Sequence, residues 1–398
     1  MAFAPTLPQA PGMAAPFRQV AVLVDTSRSY GRDITRGIRR YVAEHGPWSI
    51  FYEPRDLRSG FPDWLEGWPG DGILARTADP ELLARLEATG LPVIELRNSS
   101  LPHPFPFVGM DNSAIGERVL DHFRSRGFAR FACCLDASEK FFRERIDGFV
   151  RAAEALSGKC PVFTEAGLGN RPRWDEHQRM LAEWLAGLEK PVGVFSCHDQ
   201  LGLWVLDAAR RSGVAVPEEV AVVGAENDQV LCEMAWPPLS SVQLRGEAAG
   251  YAAAELLDRA MRNPRKWKPP AETLLPPGDI VVRQSSDIVA VEDARLARAL
   301  TFIRQHATED LGVEEVARAA GLSRSALERR MKLLIGRSPG EEINRIRFGL
   351  VEHLLAETDL TLEAIAERAG FAHPQYMAEA FRKRSGSTPG QFRVRRKI

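Results

Sequence analysis

Val313–Gly340 reads VEEVARAAGLSRSALERRMKLLIGRSPG, and Leu362–Gly390 reads LEAIAERAGFAHPQYMAEAFRKRSGSTPG. The two stretches follow one plan. Apolar residues recur at Val313, Val316, Ala317 and Ala320, and again at Leu362, Ile365, Ala366 and Ala369. That is the i, i+3, i+4, i+7 stripe of a half-buried helix. Each short helix then meets a glycine, Gly321 or Gly370, the residue that most easily takes a left-handed conformation past a helix end. A second helix is expected to open behind Ser323 in one copy, and behind His373 with Pro374 at its first position in the other. The same spacing closes both copies, with Gly336 and Pro339 answering Gly386 and Pro389. A match at this many positions marks an internal repeat, helix-turn-helix twice over.

Most helix-turn-helix corners never touch nucleic acid, so charge has to decide. Residues 295–398 hold 19 Lys+Arg against 13 Asp+Glu, and the rest of the chain holds 33 against 40. The formal net charge of -1 therefore hides a basic module joined to an acidic one. Basic residues gather on the second helix of each copy: Arg324, Arg329, Arg330 and Lys332 in the first, Arg382, Lys383 and Arg384 in the other. A surface that binds phosphates needs this.

With these features in view, residues 295–398 resemble the AraC-type DNA-binding domain, in the paired motifs (312–334 and 361–384), the connector RFGLVEHLL and the closing GSTPGQFR. The resemblance implies an all-α domain with both motifs mounted on one long helix. From Pro339 to Glu357 that helix would be about 27 Å long, placing the two second helices about one DNA turn apart, roughly 34 Å. It also implies base reading by Ser325, Glu328 and Arg329 in the first copy and by Gln375, Tyr376 and Glu379 in the second. Arg324, Arg330 and Arg382 would face phosphates. Val351 stands where the family usually has alanine and Glu379 where arginine is common, which makes the first copy the stronger candidate for sequence reading.

The remainder of the chain has a different rhythm. From Val20, short apolar runs (QVAVLVD, WSIFYE, DGILA, LPVIEL) alternate with helix-period segments such as ITRGIRRYVAEHG and PELLARLEATG. A second series follows, from FARFACCL through RERIDGFVRAAEAL, CPVFTEA, DEHQRMLAEWLAGL, PVGVFSC and LGLWVLDAARRSG to EVAVVGA. This alternation predicts doubly wound α/β structure, parallel sheets covered on both faces. Residues 18–284 are expected as two α/β lobes, 285–294 as a linker, and the Pro/Ala-rich residues 1–17 as a disordered tail.

Several function classes lose support. GRDITRG lacks the Gly-Lys-Ser/Thr of a phosphate loop, and GAENDQ is not GxGxxG. HExxH does not occur, and the single GxSxG string, GRSPG at 336–340, closes a helix instead of following a strand as a serine elbow would, so no catalytic residue, cofactor or metal is expected. The five cysteines (Cys133, Cys134, Cys160, Cys197, Cys232) have no CxxC or zinc spacing and are expected as buried free thiols. No stretch of 18 apolar residues and no signal-like start is present, which predicts a cytoplasmic protein that does not engage the membrane.

The phrases VGMDNSAIGERVLDHFRSRGFARFA, CHDQLGLWVLDAARRSGVAVPEEVAVVGAEND and WPPLSSVQLRGEAAGYAAAELLDRAM resemble the sugar-binding core of LacI-type regulators, related to periplasmic binding proteins. That resemblance implies lobe one at 18–126 and 242–276, lobe two at 127–241 and 277–284, and ligand in a hinged cleft between them. LacI-type proteins carry their DNA-binding motif first. Here it comes last, an order that resembles the xylose-operon regulators. The partners implied are double-stranded operator DNA, a small-molecule sugar effector, a second copy of the chain through the α/β core, and RNA polymerase.

A sugar needs carboxylate acceptors, guanidinium or amide forks, and an aromatic face. The resemblance assigns Asp111 in MDNSAIG, Arg143 five residues before Gly148, Trp174 as a stacking wall, His198 and Asp199 in place of an Asn-Asp pair, and Glu226 where the family has Asp. Asp199 equally suits a helix cap. Position alone adds Asp25, Tyr30 and Arg32 after the first strand and Arg76 after another, where open α/β sheets place ligands. A pentose such as xylose is the first candidate effector. A hexose is the alternative, or a purine, which His198 and Trp174 could stack on or pair with. A carbohydrate-modifying enzyme and a sugar-binding scaffold protein are the rivals from other classes.

Overall fold

The computed structural model describes residues 17–53, 61–98, 101–165, 174–263, 267–288, 293–358 and 360–396. Residues 1–16 of the expected 1–17 tail and residues 289–292 of the expected linker lie outside them.

Lobe one begins with β1 (Arg18–Leu23), α1 (Ser29–His45), β2 (Trp48–Tyr52), β3 (Gly72–Ala75), α2 (Pro80–Ala88), β4 (Val93–Glu95) and β5 (Phe107–Met110). Lobe two holds α3 (Asn112–Ser125), β6 (Phe131–Asp136), α4 (Lys140–Ser157), β7 (Val162–Glu165), α5 (Trp174–Gly187), β8 (Val192–Ser196), α6 (Asp199–Arg211), β9 (Val220–Glu226), α7 (Gln229–Met234) and β10 (Ser240–Gln243). The chain returns to lobe one for α8 (Gly246–Arg262) and β11 (Glu272–Leu275), then to lobe two for β12 (Ile280–Val281). The sheet orders are β11-β5-β4-β3-β1-β2 and β12-β10-β9-β8-β6-β7. All pairings are parallel except that of β12 with β10.

The apolar run of β1 shows why both faces are covered. Val20 and Val22 pack with Ile34 and Ile38 of α1 and Ala253 and Leu257 of α8, while Ala21 and Leu23 pack with Leu65, Leu82 and Leu86 on the other side. Successive strand residues face opposite sides, so a strand between two helical layers must be apolar throughout.

The first lobe boundary differs from the sequence expectation. The stripe Ile115, Val119 and Phe123 of α3 is buried with Phe131, Phe149 and Val194 of lobe two. The chain therefore leaves lobe one at Asp111 and not at residue 126. Helical periodicity reveals that α3 has an apolar face but not which sheet covers it. The second crossing also falls slightly later than expected, because β10 pairs with β9 through Gln243.

The C-terminal domain comprises α9 (Ala294–His306), α10 (Val313–Ala320), α11 (Arg324–Ile335), α12 (Pro339–Glu357), α13 (Leu362–Arg368), α14 (Pro374–Ser385) and α15 (Pro389–Arg396). Gly321 and Gly370 take φ of 64° and 75°, and the Ser323 hydroxyl accepts from the Ala326 amide at 3.3 Å. Val316, Leu327 and Met331 of the first motif pack with Leu296, Leu300 and Ile303 of α9, in one apolar cluster continuous with lobe two. The second motif has its own core of Phe348, Val351, Leu355, Ile365, Phe371, Met377 and Phe381. Ion pairs add to the seam between core and domain: Arg304 of α9 bonds Glu218 at 2.8 Å, and Arg345 of α12 pairs with Asp287.

The five cysteines are buried thiols outside any disulfide. Among the described residues, no helix is long and apolar enough to cross a membrane.

Candidate functional site

The carboxyl ends of β1, β3 and β4 converge on one corner of the cleft. Asp25 is buried just past β1, where one carboxylate oxygen accepts from the Ser27 amide and hydroxyl at 2.9 and 2.6 Å. Its other oxygen lies 3.2 Å from Arg76, which follows β3. The Arg76 guanidinium stands 5.8 Å over the Tyr30 ring. Burial pushes the Tyr30 hydroxyl up to about 12, despite the nearby cations of Arg76 and Arg145. Glu95 ends β4 with one oxygen accepting from the amides of Thr77, Leu96 and Arg97. Burial raises its pKa to about 8.

The opposing wall belongs to lobe two. Gly116 and Gly148 let α3 and α4 touch backbone to backbone, since an added Cβ would lie 2.3 Å from the Arg145 carbonyl or 2.7 Å from that of Ser113. This close approach sets Arg145 beside Asn112, whose side-chain oxygen accepts from Nε at 3.1 Å. Arg145 also donates to the Cys197 carbonyl at 2.8 Å and lies 3.4 Å from Glu226. His198 caps α6 by accepting the Leu201 amide on Nδ1 at 3.2 Å, so its proton sits on Nε2, 3.4 Å from Asp136. Burial lowers the His198 pKa and keeps the ring neutral. Burial alone would raise Asp136, but hydrogen bonds from His198 and Ser138 outweigh it and hold the carboxyl well below the usual range. Phe142 covers the His198 ring at 4.7 Å.

Among the described residues, polar ties span the two lobes. Arg28 approaches Glu226 at 3.7 Å, Arg32 approaches Asp228 at 3.8 Å, Arg97 bonds Glu139 at 2.5 Å, and Asn98 bonds Glu144 at 2.6 Å. These are the contacts that opening would break. Several buried cleft atoms nevertheless have no hydrogen-bond partner among the described residues: Ser29 Oγ, Arg76 Nε, Arg97 Nε and Nη1, Glu95 Oε2 and Asn227 Oδ1. Buried polar groups are rarely left so, and a hydroxyl-rich ligand would satisfy them.

Of the residues named from sequence, Asp25, Tyr30, Arg32, Arg76, His198 and Glu226 come together here. The others sit differently. Asp111 caps α3 by accepting the Ala114 amide at 3.0 Å. Arg143 is exposed and donates to the Ala137 carbonyl; the α4 arginine among the cleft carboxylates is Arg145. Trp174 is 45% exposed, its ring edge-on to Trp204 at 5.8 Å. Asp199 is fully buried and is not the cap of α6. It accepts from the Asp228 amide at 2.7 Å and the Ser241 hydroxyl at 2.5 Å. Burial, then the Glu226 charge, raises its pKa to about 8. Sequence reasoning missed Arg28, Arg97, Asn112, Asp136, Glu139 and Arg145. The stripe Phe142, Ile146, Phe149 could have found Arg145, because it turns that side of α4 inward.

On the C-terminal domain, α11 buries Leu327, Met331 and Ile335 and α14 buries Met377 and Phe381, leaving the remaining faces outward. Ser325, Arg329, Gln375, Tyr376, Glu379 and Arg382 are exposed. Arg324 pairs with Glu314 at 2.5 Å and Glu328 at 2.9 Å, and Arg330 with Asp293. Arg329 has no ion-pair partner among the described residues.

Comparison with known proteins covers nearly the whole chain. Residues 19–113 match the XylR N-terminal domain, 120–286 a periplasmic binding protein-like domain, and 316–395 a helix-turn-helix domain. The xylose operon regulatory protein of Haemophilus influenzae is 29% identical over 392 residues, spanning 96% of this chain and 100% of that protein. Its counterpart in Escherichia coli strain K12 is 28% identical over 385 residues, spanning 94% and 96%. The solved structure of the xylose-binding transcription activator xylR superposes with a TM-score of 0.79 at 26% identity, covering 96% of this chain and 99% of that one. The transcriptional regulator CelR in complex with cellobiose matches at TM-score 0.55 and 25% identity over 68% of this chain and 86% of that one. The protein is a transcription regulator of XylR-like build, a two-lobed periplasmic-binding-like core followed by a helix-turn-helix DNA-binding domain.

Proposed function

We propose that this regulator senses a small sugar between its lobes, a pentose such as xylose being the first candidate, and that occupancy sets how the C-terminal domain engages operator DNA. The observation that carries the reading is the cleft itself: carboxylates and guanidiniums from both lobes face one another, with buried donors and acceptors still unpaired. A ligand touching both walls binds the closed form better than the open one, and only such differential affinity shifts a conformational equilibrium. The names of the xylose-operon relatives favour a pentose. A purine effector would lean on His198, but both ring nitrogens there are already engaged.

The active species in this reading is a cytoplasmic homodimer joined through the α/β core, which presents two DNA-binding domains to one operator and acts on RNA polymerase. Its cleft groups bind hydroxyls and catalyse nothing. A thermal-shift screen with D-xylose, L-arabinose, D-ribose, D-glucose and hypoxanthine tests the proposal. A ligand at a hundred times its Kd should stabilise the protein by about 2.7 kcal/mol. A shift with hypoxanthine and none with sugars would favour the purine reading, and chemical conversion of a bound sugar would count against a pure sensor.

A further inference from the structure

Three guanidinium N–H groups in lobe one are buried without a hydrogen-bond partner among the described residues: Arg76 Nε, Arg97 Nε and Arg97 Nη1. They come from the ends of neighbouring strands β3 and β4, and the two guanidiniums are close enough that Arg97, after burial, depresses the Arg76 pKa. Beside them Glu95 has one oxygen saturated by three backbone amides and the other unpaired. Leaving charged donors buried and unsatisfied is costly, so the corner is built for something that is not protein.

The donor set says what that something is. Both guanidiniums already hold a carboxylate, Asp25 at 3.2 Å for Arg76 and Glu139 at 2.5 Å for Arg97, so the corner has no spare positive charge for an anion. A cation would find three N–H donors and a single carboxyl oxygen, too few acceptors to hold it. A hydroxyl fits, because it accepts from a guanidinium while donating elsewhere, and it meets Glu95 in either form: the ionised oxygen accepts and the protonated one donates. Three donors on two adjacent forks and one carboxyl oxygen match two neighbouring hydroxyls.

We infer that Arg76, Arg97 and Glu95 form a subsite for a vicinal diol of the sugar, with Arg97 as the residue that sets specificity for it. The assignment rests on the sugar-sensing reading above. Arg97 also works across the cleft: its remaining Nη2 donates to Glu139 of lobe two, so the guanidinium that holds the diol also pins the closed lobes.

Calorimetric titration of the full chain tests this, using D-xylose and its 2-, 3- and 4-deoxy forms, or the corresponding deoxy series of whichever panel sugar gives the largest heat. On the unaltered protein, two deoxy forms lacking neighbouring hydroxyls should each bind at least tenfold more weakly than the parent. Arg97→Met should lose a comparable factor and no longer distinguish those two forms from the parent. Glu139→Ala, which removes the cross-lobe tie alone, should weaken binding yet keep the discrimination. The assignment is overturned if Arg97→Met binds the parent sugar within threefold, or still discriminates. Should that variant not fold, the deoxy series on the unaltered protein decides, and a loss confined to isolated hydroxyls overturns the diol. Absence of heat from every sugar would instead bring down the sugar-sensing reading itself.

Discussion

Arg28, just ahead of the first helix of lobe one, reaches to within 3.7 Å of Glu226 in lobe two, and Glu226 is held at a φ of 112°. The next residue, Asn227, is also left-handed at 49°. Non-glycine residues persist in such conformations only where their surroundings over-determine them, and they cluster at ligand sites. Glu226 is fixed from both sides, by Arg28 across the cleft and by Arg145 at 3.4 Å within its own lobe.

Glu226 and Arg145 should therefore dominate sugar affinity, and Arg143 should not. Arg145→Ala should abolish most binding by calorimetry, and Glu226→Gln should weaken it by about tenfold or more, as expected when a charge-assisted hydrogen bond worth roughly 1.5 to 3 kcal/mol is lost. Arg143→Ala should stay within threefold. The reverse order would return the site to the arginine first named from sequence.

Two glycines of the DNA-binding domain separate backbone strain from collision. Gly386 has a φ of 73° and open space around its missing Cβ, so Gly386→Ala should cost about 1 to 2 kcal/mol, the ordinary penalty of the left-handed region. Gly370, at 75°, would place a Cβ 2.5 Å from the Thr308 carbonyl oxygen. Gly370→Ala should be clearly the more destabilising in urea melts, with operator binding impaired and sugar binding intact. Equal losses would mean that the contact between α13 and the loop after α9 is looser than the structure shows.

On α11, Arg329 is exposed and Arg330 is tied to Asp293. Arg329→Ala should weaken specific operator binding by about 1 to 3 kcal/mol while leaving non-specific binding little changed. Arg382→Ala should weaken both and lower the salt slope by about one. Fluorescence anisotropy at several salt concentrations reads both quantities.

Asp199 predicts a pH dependence. Its pKa is raised to about 8 by burial and then by the Glu226 charge, far above its value in the unfolded chain. A carboxyl raised on folding contributes stability that is fully present below its unfolded pKa and is lost as pH climbs through 8. Asp199→Asn keeps an acceptor for the Asp228 amide and a donor for Ser241, so the drop in melting temperature between pH 6 and pH 8 should be smaller in that variant. An unchanged drop would assign the effect to Glu95, which burial raises similarly.

The alternating strands and the repeated motif were legible because each rests on local rules: period, glycine past a helix end, serine cap. Gly321, Ser323, His373 and Pro374 all occupy the positions those rules assign. What local rules could not supply was the partner of each face. Periodicity marked α3 as amphipathic but not as belonging to lobe two, and spacing from Gly148 pointed to Arg143 where the buried stripe of α4 turns Arg145 inward. Arg97 and Glu139 were illegible for the same reason, since 42 residues separate two groups that only lobe closure brings together. One local signal was overlooked: a charged Glu95 inside the apolar run LPVIEL is costly unless the fold needs it.

The most direct test is an equilibrium titration of the full-length protein against its upstream DNA, with and without saturating D-xylose or the best sugar of the panel. The sugar should change DNA affinity at least fivefold, and Arg145→Ala should remove that change while leaving sugar-free DNA binding intact. DNA affinity that is the same with every sugar, for a protein that binds one of them, would contradict the coupling of cleft to operator on which this account rests.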